Sequence, residues 1–276
     1  MTEKFKLCIL FEEKPGRDLS KISQGWEMAE IPVALMVKPF ESAANWSQQR
    51  KVIESWNLPP IKVASHFLQF WGLKPTGPGV DWDQLDFWTG RAFARLAGLG
   101  VEVTGVYGGF FRYVEGFSKT KAMDQAIRFV DRMADYAEKY DMLVALEPIA
   151  ELDTLWPMYV DGLKFAKEEV ARPSVRVMAD IDYFFKGNQP FELIAEDPEY
   201  CLHVHIAGDH AQPGVGDMDD VFLNLFNILR DIGYTRGVSA ACGWVSTDGS
   251  DKVDFGKENA KSLAYLKALR DQVYAE

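Results

Sequence analysis

A (β/α)8 barrel of the α/β class, one domain spanning 1–276, is the architecture this sequence predicts. Three observations predict it. Short apolar runs of strand length alternate with longer stretches of helical period along the whole chain. The 276 residues, 47% of them hydrophobic, are enough for one large α/β core. No Gly-x-Gly-x-x-Gly follows an early strand, which weighs against the rival, an open doubly wound sheet.

The elements follow in order. Residues 6–11 read as a buried strand, followed by a polar, helix-compatible stretch. Residues 26–33 give a second strand carrying Glu27 and Glu30, and a helix fits 41–56. Asn57-Leu58-Pro59-Pro60 ends that helix, because proline cannot continue one. Residues 62–68 are a third strand holding His66, and residues 72–79, rich in Gly and Pro, read as a long surface loop. A helix over 83–97 precedes a fourth strand at 101–107, and 120–139 carries apolar residues at clear helical spacing. The fifth strand is 143–148, a helix covers 155–171, and the sixth strand is 175–180. Residues 201–207 form the seventh strand, 221–231 a helix, 237–241 the eighth strand, and 257–274 a last helix.

The seventh strand is the chemical centre of this pattern. Leu202, Val204 and Ile206 alternate with Cys201, His203 and His205, so two imidazoles share one face just before a Gly-rich turn. Each buried ring needs a partner. They are either a hydrogen-bonded core pair or a metal ligand with a neighbouring polar contact. In such a barrel the functional groups sit at the carboxyl ends of the strands, which selects Glu30, His66, Glu147, Asp180, Asp182, His203, His205 and Asp209. Glu147 and Asp180 each end an apolar run, where an isolated carboxylate would be costly. Two carboxylates and an imidazole make an oxygen-rich site suited to Mn²⁺ or Mg²⁺, with Co²⁺ or Zn²⁺ also acceptable; a structural salt-bridge network is the alternative.

A net charge of −11 argues against a nucleic-acid partner. The apolar runs are too short for a membrane span and no signal peptide is evident. Three widely spaced cysteines form no disulfide framework, so a reducing, cytoplasmic setting is expected.

Leu146-Glu147-Pro148, Met178-Ala179-Asp180, His203-Val204-His205-Ile206-Ala207 and the Pro213-Gly214-Val215-Gly216 loop together resemble the xylose-isomerase-like TIM barrel family. That group includes ketose 3-epimerases, hydroxypyruvate isomerases and inosose dehydratases. The resemblance implies metal ligands at Glu147, Asp180 and His205, with Mn²⁺ the expected ion, and a substrate-facing acid at Asp153. His203 would lie near the metal without binding it. His66, Asp182, Tyr183 and His203 would hold hydroxyls, with Trp71, Phe111 or Trp244 as an apolar wall, core packing being the alternative for each of these rings. Three places depart from the family. Tyr183 stands where histidine is common, Ala211 and Gln212 occupy a region that usually holds arginine, and Ala241 replaces the glutamate expected on the eighth strand.

The resemblance implies a metal-dependent isomerase or epimerase of an unphosphorylated sugar or keto-sugar, with Glu147 and position 241 as its proton-moving pair. Ala241 then marks a Glu-to-Ala inactive form. Alternatives are a metal-dependent lyase, such as a dehydratase or a deglycosidase of oxidised sugars, and a non-catalytic sugar-binding barrel. A homo-oligomer is expected from the resemblance alone.

Overall fold

The computed structural model describes residues 3–11, 19–56, 58–209 and 211–275. Eight parallel strands close into a barrel in chain order: β1 (Lys6–Leu10), β2 (Met28–Pro32), β3 (Ile61–Phe67), β4 (Val103–Tyr107), β5 (Leu143–Glu147), β6 (Val175–Asp180), β7 (Cys201–Ile206) and β8 (Gly237–Ala240), which pairs back onto β1. Around them run α1 (Ala43–Ser55), α2 (Trp82–Gly98), α3 (Lys119–Lys139), α4 (Tyr159–Lys164), α5 (Ile181–Lys186), α6 (Leu193–Glu196), α7 (Asp219–Asp231) and α8 (Phe255–Ala275). The open doubly wound rival is excluded by the closure of β8 on β1.

Local chemistry sets several boundaries. Ser42, Asp81 and Ser118 cap α1, α2 and α3, each side-chain oxygen accepting an N–H three residues on. On α3 the buried positions Ala122, Ala126, Phe129, Val130, Met133 and Ala137 recur every three or four residues, placing one apolar stripe against the barrel. The helix expected over 155–171 starts later, because Pro157 precedes it and Asp161 accepts the Met158 N–H at its first turn. Its second half, Phe165–Val170, is wound more loosely as a π-helix. The short helices α5 and α6 went unread, being too brief to show a period. Most of the polar stretch after β1 lies outside the described residues, and Leu19–Lys21 forms a 3₁₀ turn. Asn57, in the stretch that ends α1, also lies outside them.

The loop over 72–79 is not wholly on the surface. Thr76 is buried and its hydroxyl bonds the Arg112 backbone, while Gln125 holds both polar groups of Gly77. Those backbone groups needed partners once covered.

Strand alternation separates two cores. Val144, Leu146, Val177 and Ala179 join the large core beneath the helices. Val63, Val103, Ala145, Met178 and Leu202 form a second cluster, of which Ala145 and Met178 alternate with those outward residues. The sequence places Leu202 on the same face as Val204. It packs instead with the inner cluster, while Cys201 and Val204 join the outer one. The β6–β7 register slips between Val177 and Met178, and that slip turns the first residues of β7.

Candidate metal centre and cavity

Above the inner apolar cluster, the barrel interior turns polar. Register places His205 beside Asp180 on β6 and Ser239 on β8, and Tyr107 beside Glu147. Gly108 allows the ends of β4 and β5 to approach closely, since a Cβ there would lie 2.5 Å from the Glu147 carbonyl oxygen.

His205 is buried, and its two ring nitrogens face different groups. Nε2 lies 2.9 Å from Glu30 Oε1, while Nδ1 lies 3.7 Å from Glu147 Oε1 and 3.5 Å from Asp180 Oδ2. Glu30 is 0% exposed, and its Oε2 lies 2.9 Å from His203 Nε2. Burial works against charge on Glu30, but His205 and then His203 outweigh it and hold the carboxyl well below the usual range. Burial likewise opposes protonation of His205, yet Glu30, Asp180 and Glu147 hold it well above an ordinary imidazole. His203 faces one carboxylate, and burial keeps it below the ordinary value.

These directions describe a pocket of negative potential that draws a positive charge to the Nδ1 side of His205. One ligand atom from each of Glu147, Asp180 and His205 lies within 4.8 Å of the others. Ligands about 2.0–2.2 Å from one ion are separated by at most about 4.4 Å, so the 3.5 and 3.7 Å spacings suit a shared divalent cation. Glu147 Oε2 is buried without a hydrogen-bond partner, as expected of a ligand or a base. The residues therefore fit a metal. Glu30, His203 and His205 form a second acid–imidazole trio, but its contacts are ordinary hydrogen bonds that fix the His205 ring.

The Glu147–Asp180–His205 trio opens into a cavity of roughly 410 Å³. His66 and Asp182, chosen with the trio as strand-end groups, also line it, as do Tyr183 and Ala241, which the family resemblance singled out. Tyr107 was missed, although it ends β4 as Glu147 ends β5. Its hydroxyl lies 3.3 Å from that of Tyr183. His66 has φ 58°, in the left-handed region, as do Leu68 and Phe70 beyond it.

Other expected residues lie elsewhere. Asp153 pairs with the Arg112 guanidinium at the surface and does not line the cavity. His203 sits below it, bonded to Glu30 and Ser239. Trp244 packs edge-on against Phe255, while Trp71 meets Phe67 and Phe111 meets Trp156 at a tilt, and none of the three lines the cavity. Core packing claimed these rings. Asp209 is exposed in the loop after β7. In that loop the Gln212 side-chain amide holds the Val245 backbone, donating to its carbonyl and accepting from its N–H. A Cβ on Gly208 would strike the Gln212 oxygen at 2.5 Å, so glycine lets this loop fold over the β7 end.

Comparison with known proteins agrees with this architecture. No curated protein sequence matches the chain. Among solved structures, the apo 3-keto-D-glucoside 4-epimerase of E. coli aligns with TM-score 0.74 and 18% identity, covering 96% of this chain and 100% of that one. A D-psicose 3-epimerase solved in the presence of D-fructose aligns with TM-score 0.75 and 16% identity, over 96% of this chain and 99% of that one. A xylose isomerase domain protein of Alicyclobacillus acidocaldarius gives TM-score 0.73 and 15% identity, over 98% and 99%. At such identities these likenesses show the fold. The family model described as xylose isomerase-like TIM barrel matches residues 66–269, most of the chain, and the protein belongs to that family.

Proposed function

We propose that the protein is a divalent-metal-dependent isomerase or epimerase of an unphosphorylated sugar or keto-sugar. One observation carries the reading: Glu147, Asp180 and His205 converge on a cavity, and Glu147 keeps a buried oxygen unspent. The sugar epimerases among the neighbouring structures support it. No Lys or Arg lines the cavity among the described residues, which favours a substrate without a phosphate.

Glu147, Asp180 and the His205 Nδ1 would hold the ion, Mn²⁺ being favoured by two carboxylates and one imidazole. A bound ion supplies Lewis acidity toward a carbonyl and its neighbouring hydroxyl. Glu147 takes the proton from the carbon beside that carbonyl, and Glu30 keeps the His205 ring turned toward the site. His66, Asp182 and Tyr183 orient hydroxyls, with Tyr107 beside them. The same reading places the protein in the cytoplasm as a homo-oligomer.

The test is to strip metal with chelator, titrate Mn²⁺ calorimetrically, and follow a panel of free sugars by NMR. Mn²⁺ binding and mass-conserving conversion are expected, and Glu147→Gln should lower turnover by about 10²- to 10⁴-fold. Mn²⁺ binding that survives Glu147→Gln combined with Asp180→Asn would overturn the site. Ala241 favours a second reading, since it puts a methyl group where the resemblance places the second acid–base carboxylate. A product lighter than its substrate would mark a lyase, and binding without turnover a non-catalytic sugar-binding barrel. Activity appearing only in Ala241→Glu would mark a disabled enzyme.

A further inference from the structure

We propose, resting on the sugar-epimerase reading above, that His66 is the second proton-carrying group of this cavity, taking the place left by Ala241. A methyl group at position 241 moves no proton, so inversion at carbon needs another acid opposite Glu147. Among the cavity-lining groups of the described residues, His66 is the imidazole left without a hydrogen-bond partner and so able to supply one. It stands next to the last residue of β3, two strands from β5 and four from β7 around the closed eight-stranded barrel, so His66 and Glu147 enter the same cavity from different strands.

Three features set this imidazole apart. Neither ring nitrogen has a hydrogen-bond partner among the described residues, and Nδ1 is buried without one. The other imidazole lining the cavity, His205, spends Nε2 on Glu30 and turns Nδ1 to the carboxylates. The backbone is also bent to present His66. Its φ is 58°, those of Leu68 and Phe70 are 73° and 61°, and the β3–β4 register slips between Ala64 and Phe67. Unfavourable backbone of this kind persists where the surrounding packing enforces it and clusters at functional sites. Phe67 supplies that packing, its ring set against Trp71 and Phe93.

The step balances without an external reagent. The Glu147 carboxylate takes the carbon-bound proton from one face, and the C–H electron pair moves toward the adjacent carbonyl. The His66 imidazolium then delivers its N–H proton to the same carbon from the opposite face, forming the new C–H bond and inverting the centre. Glu147 is left protonated and His66 neutral, and water restores both.

The experiment uses the Mn²⁺-loaded protein in D₂O with a panel of free ketohexoses, reading deuterium wash-in and inversion by NMR. Two variants suit the left-handed backbone, His66→Asn and His66→Gly. In both, deuterium exchange into unconverted substrate should persist, while inversion falls about 10²- to 10⁴-fold. Added imidazole should restore inversion in His66→Gly, and calorimetric Mn²⁺ affinity should match the unmodified protein. The proposal is overturned if exchange and inversion fall together, if neither changes, or if imidazole rescues nothing while Mn²⁺ still binds. An unmodified protein that binds Mn²⁺ yet neither exchanges nor inverts any ketohexose overturns the epimerase reading itself, and the proposal with it.

Discussion

On the β5–β7 half of the barrel mouth, Glu147, Asp180 and His205 bring two carboxylates and an imidazole within 4.8 Å. On the β8–β1 half, Ala241, Cys242, Gly243 and Leu10 line the same cavity, with no charged side chain among the described residues. The contrast separates two duties that an acid at each strand end could combine. Holding a cation needs the charged half alone. Moving protons on both faces of a substrate needs a group from outside the β8 position. Beneath the charged half lies Glu30, which ties its imidazole to the barrel interior; beneath the neutral half lies Ser239, hydrogen-bonded to His203.

The largest way to break this asymmetry is to remove its foundation. Glu30→Leu leaves two buried imidazoles facing an apolar side chain, and breaking a buried ionic contact costs about 3–5 kcal/mol. Urea unfolding should show that loss. Glu30→Gln keeps the shape and a hydrogen bond, and is expected to weaken Mn²⁺ binding about 10- to 100-fold with a smaller loss of stability. Unchanged stability in the leucine variant would mean Glu30 supports nothing.

Ala241→Glu sharpens the comparison from the neutral side. A further carboxylate at the mouth should tighten Mn²⁺ by at least about tenfold, or about 1.4 kcal/mol. Without the ion, the same carboxylate should lower the unfolding midpoint by adding like charge. Unaltered affinity would show that the end of β8 stands too far from the charged half to share a cation. Asp153→Asn should do far less. This acid, 56% exposed, pairs with Arg112 away from the cavity, so a change under about 1 kcal/mol and unaltered turnover are expected. A collapse in turnover would return Asp153 to the substrate.

How far the sequence carried this picture depends on what each residue answers to. The strands were legible because their periods and the Gly and Pro between them are local signals, and the β6 range 175–180 is reproduced as Val175–Asp180. The convergence of Glu147, Asp180 and His205 was legible because closing the barrel gathers strand ends at one rim. Leu202 was misplaced because a register slip is a property of two strands, invisible in either alone. Asp153 was misplaced because Arg112, distant in sequence, claims it, and the tryptophans because a ring suits a core as well as a wall. Glu30 was chosen as a strand-end acid, yet its partners became visible only when β2 and β7 faced each other across the barrel.

The smallest expected effect concerns acid stability on the outer face, far from both halves of the mouth. Arg132 holds the Asp86 carboxyl below its ordinary range through a hydrogen bond, and Arg172 does the same for Glu138. A carboxyl lowered in the folded chain binds protons more tightly when unfolded. Its contribution is therefore complete above the unfolded value, near pH 4, and drains away as pH falls through the lowered folded values. Arg172 is 24% exposed and its partners Asp131, Asp135 and Glu138 between 40 and 49%, so water and salt screen the network and each pair contributes under about 1 kcal/mol. Arg172→Met should thus lower stability slightly at pH 7, lose that difference as pH falls through the lowered folded value of Glu138, and show a smaller gap in 1 M salt, where the screening length is about 3 Å. A gap that persists undiminished at low pH would mean the arginine works through its stem packed on the barrel, not through its charge.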